Sequence, residues 1–504
     1  MNRLIRRTFL SSIFALLAIG AAAQYRDTVS AEERKVDRPA LLSLEDALKI
    51  ALAENVSVQL ADLEIEKAGY SKKGTYAQLF PQVNGTGSYQ RTIKKQVMYM
   101  DGMGGGNMLA SMMQPIFDAL EAATGQKITI PEGDSSSGMT SDGIEVGRWN
   151  TYSAGVTAAM PLVNAQLWKS LEVSGQEVEL AVEKARSSRL EMVTQVKQAF
   201  FGVLLAKEAF DVYKEVYENA VTNFEQTQRR YNAQKASELD LTRSKTAMAN
   251  AIPNVYNAES SVILALWQLK AVMGVDLDRN IDVKGALDDY SGQMLRDLTE
   301  HEEASLEYNS TMRQLAIQAE ELANAVKIQQ YAYLPTLNLS FSYMMNAMTN
   351  DFKFNEYKWT PYSFVGLSLN IPIFSGGKRW SDVKVARAQA TQLQLTRLNT
   401  ERQLKIAIRQ YLTTMETQMK NYESSREAVA LAQKAYDISA KSYQVGKNTL
   451  TDLNDAQLAL TQAQLAQNQA IYNFVVAKSN LEQTLGADFI DSDGNYDPAL
   501  YNRQ

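Results

Sequence analysis

The chain has no cysteine, a single histidine and only ten prolines in 504 residues. Without cysteine there is no disulfide framework, no thiolate nucleophile and no lipidated N-terminal cysteine. One histidine removes the usual ligand set for a structural metal and the commonest general base. His301 itself sits in Thr299-Glu-His-Glu-Glu303, a solvated helix start. The glycine-rich run 102–106 has neither the preceding strand nor the Gly-Lys-Ser/Thr of a phosphate loop, so it reads as a flexible loop. The composition therefore implies no enzyme, no cofactor and no bound metal. Beyond the N-terminal segment no apolar run is long enough for a spanning helix, so any membrane contact has to come from strands.

The N-terminal segment supplies the one apolar run. Arg3, Arg6 and Arg7 precede apolar residues 9–19 and a small-residue site at Ala21-Ala22-Ala23, the form of a secretory signal peptide over 1–23. Cleavage removes three positive charges and takes the net charge from −6 to −9. An exported acidic chain is a poor nucleic-acid binder.

What the sequence does contain is a helical hairpin that occurs twice, over 166–274 and again over 378–486. The turns read Tyr231-Asn-Ala-Gln-Lys-Ala-Ser-Glu-Leu-Asp240-Leu241 and Tyr443-Gln-Val-Gly-Lys-Asn-Thr-Leu-Thr-Asp452-Leu453. The differences 443 − 231, 452 − 240 and 486 − 274 are all 212, so the copies align without a gap. Each incoming stretch lacks proline for long enough to make a helix of roughly 100 Å. That length demands a coiled coil or bundle.

In chain order, a leader (24–41) gives way to a first repeat over 42–275. It holds helical segments at 43–79 that pause near Asn55, strands 82–90 and 150–162 joined by a long loop (91–149), and helices 165–231 and 237–273. A linker (276–300) leads to a second repeat over 301–486, with helix 302–333, strands 336–344 and 362–374, and helices 378–445 and 449–485. A tail (487–504) follows. Phe80-Pro81 and Leu334-Pro335 end the pre-strand helices at an offset of 254, because proline cannot continue a helix. Each strand has one apolar face, which in ten-residue segments is the form of a transmembrane barrel. Four strands cannot close one, and an open edge is forbidden in lipid, so several chains must share it. One long helix and two short segments per half then make struts of uniform length.

Leu44-Glu45-Asp46-Ala47-Leu48 with Asn55, the two proline junctions, Ile371-Pro-Ile-Phe-Ser-Gly-Gly377, and Tyr443-x-x-Gly446 through Thr449-x-x-Asp452-Leu453-x-Asp455-Ala456 together resemble the TolC-like family of outer-membrane efflux proteins. The resemblance covers about 42–488. It implies a mixed α/β membrane protein in which each repeat gives one β-hairpin to a twelve-stranded barrel shared by a homotrimer, above a periplasmic α-barrel of coiled-coil helices. It further implies an outer-membrane exit duct for efflux or type I secretion in a Gram-negative cell, working with a periplasmic adaptor and an inner-membrane pump. A surface-anchored coiled-coil adhesive protein without a pore is the alternative.

By that similarity Asp452 and Asp455 fall where the family narrows its tunnel with aspartate rings, and Asp240, the counterpart of Asp452 in the first copy, is a further constriction candidate. Carboxylates crowded on one axis select cations, and their repulsion raises some pKa values. Ser237-x-x-Asp240 and Thr449-x-x-Asp452 also have capping-box form, so capping and gating both fit Asp240 and Asp452, whereas Asp455 lies past the cap. Tyr231 and Tyr443 are candidate hydrogen-bond partners at the gate. The family's tip arginine is replaced by Asn448, which leaves Lys447 and Arg243 as candidate clamps. Val445, Gly446 and Lys447, with Ala233, Gln234 and Lys235, form the expected adaptor-docking surface. Methionines 98–113 and Met344, Met345 and Met348 gather in strand-to-strand loops, where flexible packing is the ordinary use and soft-metal binding the rarer one. Tyr89, Tyr343, Trp359 and Tyr362 are placed for an interfacial girdle.

Overall fold

The computed structural model describes residues 39–98, 114–116, 118–122, 125, 144–294 and 305–486. The signal peptide, His301, the tail and most of loop 91–149 lie outside them. The elements run β1 (Ala40–Leu42), α1 (Leu44–Glu54), α2 (Val56–Ala77), β2 (Gln82–Arg91), β3 (Gln96–Met98), β4 (Ile144–Val146) and β5 (Asn150–Val163). They continue α3 (Ala165–Asn232), α4 (Glu238–Met273), β6 (Ile281–Val283), α5 (Ser310–Tyr331), β7 (Thr336–Thr349), β8 (Thr360–Asn370), α6 (Lys378–Gln444) and α7 (Leu450–Leu485). Among the described residues no helix is long and apolar enough to cross a membrane.

The duplication is carried through to single residues. Adding 254 takes α2 onto α5 end to end (56 to 310, 77 to 331), and adding 212 takes α4 onto α7 (238 to 450, 273 to 485). Local chemistry sets these ends. Asn55 and Asn309 cap α2 and α5, and Ser237 and Thr449 cap α4 and α7. Gly274 and Gly486 stop α4 and α7 in the left-handed region, at φ 75° and 72°.

The described residues form one layer, four elements wide in the sheet and on either side of the joints. At one end β2-β5-β7-β8 form an antiparallel sheet in that order. Above it the helices lie α2-α3-α5-α6, and farther on α4-α3-α7-α6. The long helices α3 and α6, of 68 and 67 residues, run the full length. The shorter ones relay one another.

The core is concentrated where the relays meet. Leu48 of α1, Phe200 and Leu204 of α3, Leu269 and Met273 of α4, Met415 of α6 and Ile471 and Phe474 of α7 are all fully buried there. Each such side chain contributes about 1.5–3 kcal/mol of burial. Lys197 and Glu482 pair within this core at 2.7 Å, linking α3 to α7 across the two repeats.

Several boundaries differ from those expected. The helix expected over 302–333 begins at Ser310, because Asn309 interrupts it as Asn55 interrupts the first half; the side chain of Asn309 accepts from Met312 N at 2.8 Å. The strand expected to end at 344 runs to Thr349. Its alternation is lost at Met344-Met345, yet β5 pairs with it throughout, up to Asn150↔Thr349. Met344, Met345 and Met348 therefore lie in a strand and not in a loop. The strand expected over 362–374 ends at Asn370, since Pro372 has no amide to give the ladder. The end of the leader and the linker, in which the sequence predicts no strand, pair β1 with β6 in parallel. Strands of three residues are too short to show a period. Loop 91–149 carries the small hairpin β3-β4.

Candidate gate at the helical tips

Both tips are built from the same cap chemistry. At the second, Lys447 N donates to Ser442 O (2.8 Å) and Gly446 N to Tyr443 O (3.0 Å), with Gly446 at φ 80°. At the first, Lys235 N donates to Arg230 O (2.7 Å) and Gln234 N to Tyr231 O (2.8 Å). Gln234 stands at the position of Gly446 (446 − 212) and is, among the described residues, the non-glycine residue with positive φ, at 53°. A side chain there is strained where glycine is not.

The outgoing helices start on reciprocal capping boxes. Asp452 accepts from Thr449 N (3.0 Å) and Thr449 Oγ1 (2.7 Å), while its own amide donates to Thr449 Oγ1 at 3.2 Å. Asp240 repeats this with Ser237. Capping is thus one role of both aspartates. Within the chain the Thr449 hydroxyl and amide hold the Asp452 carboxyl below its ordinary value. That is the reverse of the direction expected for a crowded ring. Asp455 lies one turn further on, on the same face as Asp452, and is exposed.

The two tyrosines, equivalent in sequence, differ in setting. Tyr443 is buried: its hydroxyl lies 2.5 Å from Thr227 Oγ1, and its ring packs with Leu450 and Leu453. Tyr231 is on the surface. The structure also identifies a cation that sequence reading missed. Arg230 Nη1 donates to the Tyr443 carbonyl at 2.6 Å, and the guanidinium lies 5.1 Å from the centre of the Tyr443 ring. Arg230 Nη2 would be 3.1 Å from a Cβ on Gly446. One arginine of the first tip therefore grips the backbone, ring and turn of the second. Lys447 and Arg243, the cations singled out from sequence, have exposed side chains. The signal was present in the alignment: position 230 is arginine where its counterpart, 442, is serine. Val445, Gly446, Lys447, Ala233, Gln234 and Lys235 are exposed together at the extremity.

The relay joints are a second pair of sites that the sequence only half disclosed. Asn55 Nδ2 donates to Val272 O and Asn309 Nδ2 to Thr484 O, both at 2.6 Å. A Cβ on Gly274 or Gly486 would meet Glu54 O at 2.8 Å or Tyr308 O at 2.1 Å. Each outgoing helix thus ends against the start of the next strut, with room only for glycine. The offset of 254 from Asn55 points to Asn309.

Among the described residues no group of His, Cys, Asp and Glu could hold a metal ion. Tyr89 stacks on Tyr152 at 4.8 Å, and Tyr343, Trp359 and Tyr362 are exposed on the half of the sheet away from the helices.

A family model described as Outer membrane efflux protein matches residues 127–275 and 303–487. Outer membrane protein TolC of Escherichia coli (strain K12) is 22% identical over 354 residues, 67% of this chain and 70% of TolC. The Proteases secretion protein PrtF of Dickeya chrysanthemi is 21% identical over 346 residues, 67% of this chain and 73% of PrtF. The crystal structure of the Campylobacter jejuni CmeC outer membrane channel superposes with a TM-score of 0.63 at 17% identity, over 88% of this chain and 85% of CmeC.

Proposed function

The chain belongs to the outer membrane efflux protein family, and from that premise we propose how it closes a duct and gates it. The family consists of passive channels: this chain serves as an outer-membrane exit duct for efflux or type I secretion, not as an enzyme, with its helices in the periplasm of a Gram-negative cell. The family assignment favours a conduit over a poreless adhesive coiled coil.

The observation that carries the assembly is the open four-wide layer. β2 and β8 are sheet edges whose residues are exposed almost throughout. Along the same two sides α2, α4 and α6 are the edge helices, with few buried residues. A strand edge cannot face lipid unpaired. Three copies joined edge to edge, the number in the family's homotrimers, give twelve strands and a tube twelve helices around. The strand hairpins span the outer membrane, and the tips point toward an adaptor and an inner-membrane pump.

At the tips Asp452 and Asp455 of three chains, with Asp240 outside them, ring the mouth and favour cations. Tyr443, gripped by Arg230, holds the second hairpin against the first in the closed state. Tyr231, Lys447 and Arg243 lie at the surface for contacts between copies. Val445, Gly446, Lys447, Ala233, Gln234 and Lys235 are the surface an adaptor would meet. Opening is a change in the coiling of the second hairpin on the first. Planar-bilayer recordings test the ring: Asp452→Ala with Asp455→Ala is expected to lower cation-over-anion permeability several-fold. Unchanged selectivity removes the aspartates from the gate.

A further inference from the structure

Charge is distributed unevenly along the struts. In the ten residues nearest the sheet, α2 (68–77) carries Lys72 and Lys73, and α6 (378–387) carries Lys378, Arg379, Lys384 and Arg387, against one carboxylate, Asp382. The middle helices add Lys169 and Lys327 against Glu172, so this end holds eight cations and two anions, a net of +6 in a chain of net charge −6. The matching ten-residue ends of α3, α4, α6 and α7 at the tips hold five cations and six anions. The excess is confined to one end.

Two further features place it at a bilayer surface. Exposed aromatics are interleaved with the cations: Tyr70, Phe80, Trp168, Phe374 and Trp380 are between 51% and 87% exposed. Lys73 lies 4.8 Å from the Tyr70 ring centre and Lys384 5.5 Å from that of Trp380. Such pairs suit the headgroup level, where an amphipathic ring and a long cationic side chain both straddle the boundary. Ten helical residues span about 15 Å, within reach of the headgroup layer with extended side chains.

Closure supplies the decisive constraint, and here the inference rests on the edge-to-edge assembly proposed above. Joining copies sets the α2 edge of one beside the α6 edge of the next. Both edges are cationic at this level, with Asp382 already paired to Lys378 at 2.8 Å. Lys73 on one side and the exposed Lys378, Lys384 and Arg387 on the other then meet at the seam with little acid in the chain to offset them, while Lys72 lies toward Gly175 of α3 and Arg379 over the Tyr333 ring. We infer that this seam is a binding site for anionic phospholipid headgroups of the periplasmic leaflet, whose phosphates neutralise the facing cations and so join neighbouring copies.

The test uses the full chain in vesicles, with Trp149, Trp267 and Trp359 changed to Phe so that Trp168 and Trp380 report. Brominated phosphatidylglycerol and brominated phosphatidylcholine are compared as quenchers, and conductance is recorded from the same preparation. The expected result is at least about a fivefold preference for phosphatidylglycerol at low salt. It should fall to parity at about 0.5 M salt and in the variant Lys72→Gln, Lys73→Gln, Lys384→Gln, Arg387→Gln. The salt arm needs no change to the cations, so a poorly assembling variant leaves the inference testable. A conducting channel quenched equally by both lipids overturns the lipid site and leaves the conduit standing. A chain that neither conducts nor is quenched by either overturns both.

Discussion

Replacing Arg230 by glutamine removes a side chain that reaches from the first tip to the turn of the second. Two contacts are lost: the donation to the Tyr443 carbonyl at 2.6 Å and the approach to the Tyr443 ring at 5.1 Å. A hydrogen bond from a charged donor is worth about 1.5–3 kcal/mol. A partly exposed cation over an aromatic face adds about 0.5–1 kcal/mol. Arg230 is half-buried, so the lower ends apply and the sum is about 2 kcal/mol per chain. At 1.4 kcal/mol per tenfold, that is roughly a thirtyfold shift toward the released tip in each chain. If the tips move together the three shifts multiply, and a duct closed nearly all the time becomes open for much of it. Single-channel recording should therefore show Arg230→Gln spending far longer in its high-conductance state. Arg230→Lys should lie between, because an ammonium keeps the charge but not the planar fork. Wild-type gating in Arg230→Gln, with the variant's assembly and melting unchanged, would refute the clamp.

Three other outcomes follow from the same geometry. Gln234→Gly relieves a left-handed residue and should protect the first tip by about 0.5–1 kcal/mol in hydrogen exchange, and Gly446→Gln should weaken the second by at least as much; no difference between the tips would sink this. Glu482→Ala leaves Lys197 buried without its carboxylate and should cost about 3–5 kcal/mol of unfolding free energy, most of it recovered by pairing Lys197→Met with Glu482→Leu. A loss below about 1 kcal/mol would mean the pair is not desolvated as the structure has it. Burial, then the nearby Asp211, Asp288 and Asp289, push the Glu208 carboxyl above its ordinary 4.5. A carboxylate raised on folding opposes the folded state once ionised: it is neutral folded or unfolded below 4.5 and increasingly unfavourable as pH climbs through that value. Glu208→Gln should thus raise the melting temperature at pH 7 and leave it unchanged near pH 4, and equal shifts at both would rule out ionisation as the cause.

The architecture was legible because it is written twice. Two constant offsets, 212 and 254, with proline at each helix-to-strand junction and Ser/Thr-x-x-Asp at each outgoing helix, fix the order of elements from local chemistry alone. What sequence could not disclose depends on a distant partner. β7 continues past Met344 because β5 lies beside it, and β1 finds β6 some 240 residues away. Lys447 and Arg243 stood out by being near the turn. Arg230 differs from its counterpart Ser442 in sequence, but its contact with Tyr443 follows only from laying the second hairpin against the first. Tyr231 and Tyr443 look alike in sequence, and only packing separates the exposed ring from the buried one.

The joints at Asn55–Gly274 and Asn309–Gly486 have a mechanical consequence. A twist started at the tips is handed up only along α3 and α6, since α4 and α7 terminate where α2 and α5 begin. Each joint is held by one amide and one bare backbone contact, beside the buried core of the wall. In the proposed assembly the lower sleeve is thereby free to rewind while the upper sleeve and the membrane-embedded ring stay still, so that the duct would open at one end without loosening its hold on the bilayer at the other.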